Sequence, residues 1–155
     1  MQFVKGDVLA CEADVVLHQV NCLGVMGAGV AKQVREKYPV VFKVYKALCD
    51  ANSHCRQRLL GYAQFVRVDG NRCIVNLFAQ DRYGRDGRCY TDYEALRNCL
   101  VSVNKRCAGK TVALPYLMGC GLAGGDWSIV SGIIEDTLVD CNVVCVIYNK
   151  PNMTC

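Results

Sequence analysis

Apolar and polar positions along the chain alternate between two periods, and the changes of period mark the elements. Gln2–Lys5 reads as a short alternating strand before a turn at Gly6-Asp7. Ala13–Val20 carries Val15, Val16, Leu17 and Val20, too apolar for an exposed edge, and predicts a buried strand. Ala28–Lys37 shifts to helical spacing, with Val30, Ala31 and Val34 on one face. Pro39 interrupts it, and Val40–Ala51 resumes with Val41, Val44, Tyr45 and Leu48 in helical register. The polar stretch Asn52–Arg58 predicts a loop.

Tyr62–Val68 and Arg72–Phe78 flank Asp69-Gly70-Asn71, the pattern of an antiparallel hairpin. The glycine- and charge-rich Ala79–Cys89 predicts a surface loop. Thr91, with Glu94 three residues on, reads as a capping box opening a helix to Lys105. Thr111–Leu114 is the next strand, Trp127–Leu138 the last helix, Val143–Tyr148 the last strand, and 149–155 a tail. The order β-β-α-α-β-β-α-β-α-β predicts an α/β fold: a three-layer α/β/α domain over residues 1–150, with a six-stranded mixed sheet between helices and 151–155 trailing.

Composition narrows this only slightly. Hydrophobic residues make up 52% and charged residues 21%, which suits a well-filled core. The net charge of +4 is scattered rather than clustered, so it fits a small anionic ligand better than it argues for nucleic acid. No apolar run approaches the ~20 residues of a membrane span, and Met1–Gly6 starts on a strand pattern rather than a signal peptide, so a cytoplasmic protein without membrane contact is expected. Twelve cysteines raise the question of disulfides. Several (Cys73, Cys99, Cys141, Cys145) lie in apolar segments and read as small reduced hydrophobes. No Cys-x-x-Cys pair occurs, and His18 and His54 form no ligand pair, so no metal is expected.

Two segments carry candidate chemistry. In Leu114-Pro-Tyr-Leu-Met-Gly-Cys-Gly-Leu-Ala-Gly-Gly-Asp-Trp127 a strand runs into four glycines within seven residues, and Asp126 then opens a helix. Glycine permits close approach of the main chain, and a helix N-terminus is electropositive, so strand, loop and helix start together suit a phosphate. A second such segment runs from Val15–Val20 through Asn21-Cys-Leu-Gly-Val-Met-Gly-Ala-Gly29 into a helix. Its glycine spacing does not match Gly-x-Gly-x-x-Gly, which argues against a nicotinamide dinucleotide site. Asn21 offers an amide donor and acceptor suited to a sugar diol, although Asn at a strand end also forms turns.

Gly6-Asp7-Val8, Asn21 with Met26-Gly-Ala-Gly29, and Met118-Gly-Cys-Gly-Leu122 with Asp126-Trp127 together resemble the macrodomain family, in register over almost the whole chain. The branch that is similar contains O-acetyl-ADP-ribose and terminal ADP-ribose hydrolases, ADP-ribose-1''-phosphate phosphatases and antitoxins that remove ADP-ribose from DNA. The resemblance implies ADP-ribose or a derivative as the ligand, with ADP-ribosylated protein or nucleic acid as a source. It implies no cofactor, and a monomer is expected. Asp7 would accept from the adenine amino group beside the Val8 backbone, with Tyr148 covering the ring. Asn21 and Gly27, Ala28, Gly29 and Val30 would hold the distal ribose. Met118, Gly119, Cys120, Gly121 and Leu122 would cradle the diphosphate.

The resemblance also implies a catalytic Asp126, a general base facing the distal ribose. Asp directly before a helix is equally an N-cap, and the helix dipole keeps such a carboxylate a weak base. Where related hydrolases carry a nucleophilic lysine, this chain has Gln80 and Asp81. Glutamine forms no Schiff base. Gln80 and Asp81 are therefore accessory candidates, Asp81 as half of a carboxylate pair with Asp126. Cys120 lies in the phosphate loop with no histidine near it in sequence, which leaves a cysteine-phosphatase mechanism without support. Arg82, Arg85 and Arg88 make the preceding loop basic. The implied activity is hydrolysis of a substituent on the distal ribose, and the alternative is an ADP-ribose-binding reader without turnover.

Overall fold

Neighbouring residues of the apolar strands serve two different cores, because successive side chains of a strand point to opposite faces. In the computed structural model, which describes residues 1–149, Val15 and Leu17 pack into one core while Val16 and Val20 pack into the other. The tail predicted at 151–155 lies outside the described residues. Strands β1 (Gln2–Gly6), β2 (Val15–Asn21), β3 (Ala63–Asp69), β4 (Arg72–Gln80), β5 (Thr111–Pro115) and β6 (Asn142–Tyr148) form one sheet in the order β1-β6-β5-β2-β4-β3. Only β3 runs antiparallel to its neighbour, so the sheet is mixed as expected.

Helices α1 (Gly29–Lys37) and α2 (Pro39–Ala51) cover one face, where Val34, Val41 and Tyr45 meet Val16, Ile74 and Phe78. Helices α3 (Tyr93–Arg106) and α4 (Trp127–Thr137) cover the other, where Leu96, Val103, Val130 and Ile134 meet Leu17, Leu77 and Leu114. Burying each Leu, Val or Phe of these cores contributes about 1.5–3 kcal/mol. No helix among the described residues is long and apolar enough to cross a membrane. The eleven cysteines among them are all free.

Three predictions need correction. Asn52–Arg58 is not a loop: Ser53–Leu59 forms a kinked 3-10 segment that buries Leu59 and carries Arg56 toward the end of β4. Strand β4 runs on to Gln80, so the surface loop begins at Asp81 and not Ala79. Thr91 does not cap α3. Asp92 does, its carboxylate accepting from Ala95 N at 2.9 Å, because the Thr91 hydroxyl is held by Gly119 O instead.

One feature of register shapes everything beyond it. β2 pairs with β4 along its whole length but with β5 only at Val15–Val112 and Val16–Ala113. Past Val16 that ladder stops, and the sheet splits between its two central strands.

Candidate functional site

Parallel strands β1, β6, β5, β2 and β4 end on one edge of the sheet, at Gly6, Tyr148, Pro115, Asn21 and Gln80. From β2 the chain moves outward to β4 and β3, and from β5 it moves the other way to β6. Such a switch point leaves a crevice beyond the strand ends. The β2–β5 split extends the crevice down into the sheet. Two adjoining cavities of about 290 and 340 Å³ fill it, both bounded by Gln19, Ala28, Ala31, Gln80, Leu122 and Ala123.

Unpaired backbone N–H groups face this crevice from two sides. Helix α1 has no side-chain cap and no acidic residue in its first turn. The N–H groups of Gly29, Val30 and Ala31 therefore have no intrahelical partner, and they stand at the positive end of the helix on the cavity wall. Across from them, the amides of Gly119, Gly121, Leu122 and Ala123 find no protein acceptor among the described residues. This loop is braced from behind. Thr91 Oγ1 donates to Gly119 O at 2.6 Å, and Tyr90 N and Thr91 N donate to Ala123 O at 2.7 and 3.1 Å. Leu117, at its start, is the only non-glycine with a left-handed backbone among the described residues (φ 63°), a conformation costing about 1–2 kcal/mol and concentrated at functional loops.

Polar side chains line the floor. Gln19 Nε2 donates to Gln80 Oε1 and to Thr91 Oγ1, both at 2.9 Å, and Gln80 Nε2 donates to Arg82 O at 3.0 Å. Gln19 Oε1 is buried without a partner, pressed against Gly119. His18, on the opposite sheet face, is 1% exposed and lines the larger cavity. Its Nε2 is hydrogen-bonded to Asn76 Oδ1, and its Nδ1 has no partner. Burial holds its pKa down to about 4, so the ring is neutral at physiological pH.

Of the residues predicted for the site, Gly27, Ala28, Gly29, Val30, Met118, Gly119, Gly121 and Leu122 are brought together around the two cavities. Asn21 lines the smaller one, but its side chain shapes its own loop. Oδ1 accepts from Leu23 N at 3.0 Å and Tyr45 Oη at 2.9 Å, and Nδ2 donates to Val25 O at 2.8 Å. Gln80 lines both cavities, whereas Asp81 is turned outward into a bidentate pair with Arg56 at 2.7 and 3.1 Å. Asp7 and Tyr148 meet at a separate open hollow of about 390 Å³ further along the sheet edge, with Val8 buried beside it. Asp7 Oδ1 also accepts from Leu9 N at 2.9 Å, a turn-capping bond.

Asp126 lines neither cavity. Its Oδ1 accepts from Ser128 N at 2.9 Å and Ser128 Oγ at 2.7 Å, capping α4, and these bonds hold its pKa below the usual carboxylate range. Asp81 and Asp126 are thus not brought together at the cavities. Cys120 also lines neither cavity, and burial pushes its thiol up to about 11, against a thiolate nucleophile.

Sequence reasoning passed over Gln19, Ala123 and Tyr83 as cavity-lining residues. Gln19 had a signal, a long polar side chain one step from the end of an apolar strand. Ala123 and Tyr83 had none, since tertiary folding alone sets them on the cavity wall, where Tyr83 stays half exposed. Of the three arginines of the loop, only Arg85 lines a cavity, and it forms no ion pair among the described residues. Those residues contain no cluster of metal-ligating side chains.

No family model matches the chain. It is 30% identical over 126 residues to the DNA ADP-ribosyl glycohydrolase of Mycobacterium tuberculosis, an alignment covering 81% of this chain but about a third (35%) of that protein. It is 28% identical to ADP-ribose glycohydrolase OARD1 of Bos taurus, over 94% of this chain and 89% of that one. Among solved structures, a macrodomain protein from Streptomyces coelicolor superposes with a TM-score of 0.77 at 28% identity, covering 96% of this chain and 98% of the other.

Proposed function

This chain belongs to the macrodomain family, and from that premise we propose that it binds ADP-ribose across the strand ends and hydrolyses a substituent on the distal ribose. The observation that carries the reading is the pair of unpaired N–H arrays, at the start of α1 and at Gly119, Gly121, Leu122 and Ala123, facing one crevice. Two such arrays with no acidic side chain between them suit a diphosphate, because they supply donors and positive potential without a bound cation. The adenine lies at the Asp7–Tyr148 hollow, the diphosphate on residues 119–122, and the distal ribose beside Asn21 and Gly27–Val30. Arg85 offsets negative charge on the distal substituent. The bond broken is an O-acetyl ester, a 1''-phosphate or a carboxylate-linked ADP-ribose. The free thiols suit a reducing, cytoplasmic setting.

One observation favours a second reading, a reader without turnover: no carboxylate lines either cavity among the described residues. Calorimetry with ADP-ribose, run beside mass spectrometry of products from the three derivatives, separates the two. Heat with product supports the hydrolase, heat without product leaves the reader, and no heat rejects both. Asp126→Asn tests the carboxylate directly, because Asn caps a helix about as well as Asp. If Asp126 is the base, turnover disappears with Tm unchanged. If its work is to anchor the loop on α4, both survive.

A further inference from the structure

Among the described residues, three buried side-chain polar atoms lack a hydrogen-bond partner: His18 Nδ1, Gln19 Oε1 and Arg72 Nε. Two of them belong to consecutive residues of β2, just where the ladder to β5 stops. Gln19 Oε1 is wedged against Gly119, where an added Cβ would lie 2.6 Å away, so no molecule fits between them. His18 stands on the other sheet face and lines the 340 Å³ cavity that the α1 N-terminus also borders.

The protonation pattern of that imidazole is set by a ladder across three strands. His18, Asn76 and Gln64 are paired side by side in β2, β4 and β3. Asn76 Nδ2 donates to Gln64 Oε1 at 3.0 Å, and Gln64 Nε2 donates onward to Val44 O at 3.3 Å. Asn76 must therefore present its carbonyl oxygen to His18, and His18 Nε2 carries the proton that donates to it. In a neutral ring the other nitrogen is then a bare acceptor. A buried acceptor with no donor costs about 1–3 kcal/mol, and the residue that carries this one is among those lining a cavity with room for water or a ligand hydroxyl.

We propose that His18 Nδ1 accepts a hydrogen bond from the hydrolytic water in the cleft and is the general base of the reaction. This rests on the hydrolytic reading above, and supplies the base that the cavity-lining residues otherwise lack. The water oxygen bonds to the acyl carbon or phosphorus of the substituent as its O–H bond breaks. The proton passes to Nδ1, and the imidazolium returns it to the ribose oxygen as the bond from that oxygen to the acyl or phosphoryl group breaks. Products are the free acid or phosphate and a ribose hydroxyl, with no further reactant. The Asn76–Gln64 ladder keeps the bare nitrogen in place.

His18→Gln is the discriminating variant. A Gln side chain keeps a donor where Nε2 meets Asn76 and removes the Nδ1 acceptor. With whichever of the three derivatives the wild type turns over, kcat is expected to fall about 10²–10⁴-fold, while the ADP-ribose Kd changes less than about threefold, as for a group acting on the reaction rather than on binding. A folded variant keeping kcat within threefold overturns the proposal alone. A wild type that turns over none of the three overturns the hydrolytic reading and the base with it. If the variant does not fold, ¹⁵N spectra of wild-type histidine decide. An unprotonated Nδ1 whose resonance moves when ADP-ribose is added supports the proposal, and a protonated or unmoved Nδ1 overturns it.

Discussion

Gly124→Ala tests the bracing of the phosphate loop against the strap that crosses behind it. Gly124 has φ +71°, and a Cβ built there would lie 2.4 Å from Arg88 O and 3.2 Å from Cys89 Cα. The left-handed backbone alone costs an L-residue about 1–2 kcal/mol. The overlap is with main chain, which no rotamer change relieves, and separating the two segments endangers the bonds from Tyr90 N and Thr91 N to Ala123 O. Losing that contact adds about 1–2 kcal/mol, for a total of about 2–4 kcal/mol. At about 2–4 °C per kcal/mol for a chain of this size, Tm should fall by at least about 4 °C. Gly132→Ala is the matched control. It lies inside α4 with nothing within 4 Å of the added methyl, and helix propensity predicts stabilisation by about 0.5–1 kcal/mol. Thermal unfolding followed by circular dichroism reads both, and calorimetry should show weaker ADP-ribose binding only for Gly124→Ala. A Gly124→Ala protein melting within about 1 °C of wild type would refute the reasoning, because the strap would then not hold the loop.

Two further outcomes follow from buried polar groups. Tyr45→Phe removes a fully buried hydroxyl that donates to Asn21 O at 2.8 Å and Asn21 Oδ1 at 2.9 Å. It should cost about 1–2 kcal/mol of stability in urea unfolding and weaken ADP-ribose binding, since Asn21 shapes the cavity wall; an unchanged Kd removes Asn21 from the site. His18 gives an acid sensitivity of known sign. Its pKa is depressed to about 4 by burial against an unfolded value of 6.5, so the unfolded chain takes up the proton first as pH falls. Stability is full above pH 6.5 and declines toward pH 4, with about 2 kcal/mol lost at pH 5 relative to pH 8. Equal urea midpoints at pH 5 and 8, at equal slope, would contradict a buried neutral ring.

Much of the molecule is determined locally, and that part is legible in one dimension. Val15, Val16, Leu17 and Val20 can only be a strand buried on both faces, and Val41, Tyr45 and Leu48 only a helix with one apolar side. From such runs the order of elements and the layered α/β/α architecture follow, because each apolar face must find a cover. The glycines at 119, 121, 124 and 125 announce a loop that approaches something closely. What tertiary structure decided is the side of the loop on which each group falls. Asp before a helix suits a base and a cap alike, and the cap bond to Ser128 is local; what the fold adds is that Asp126 lines neither cavity. Thr91 looked like a cap until Gly119 O, 28 residues away in sequence, took its hydroxyl. His18 pairs with no other ligand in sequence, and its bare Nδ1 exists only because β2 and β5 part beyond Val16 and because Asn76 and Gln64 align across two other strands. Periodicity reports the environment of a residue averaged over its own element. Hydrogen-bond partners come from elsewhere in the chain, and they decide what a polar side chain has left to offer a ligand.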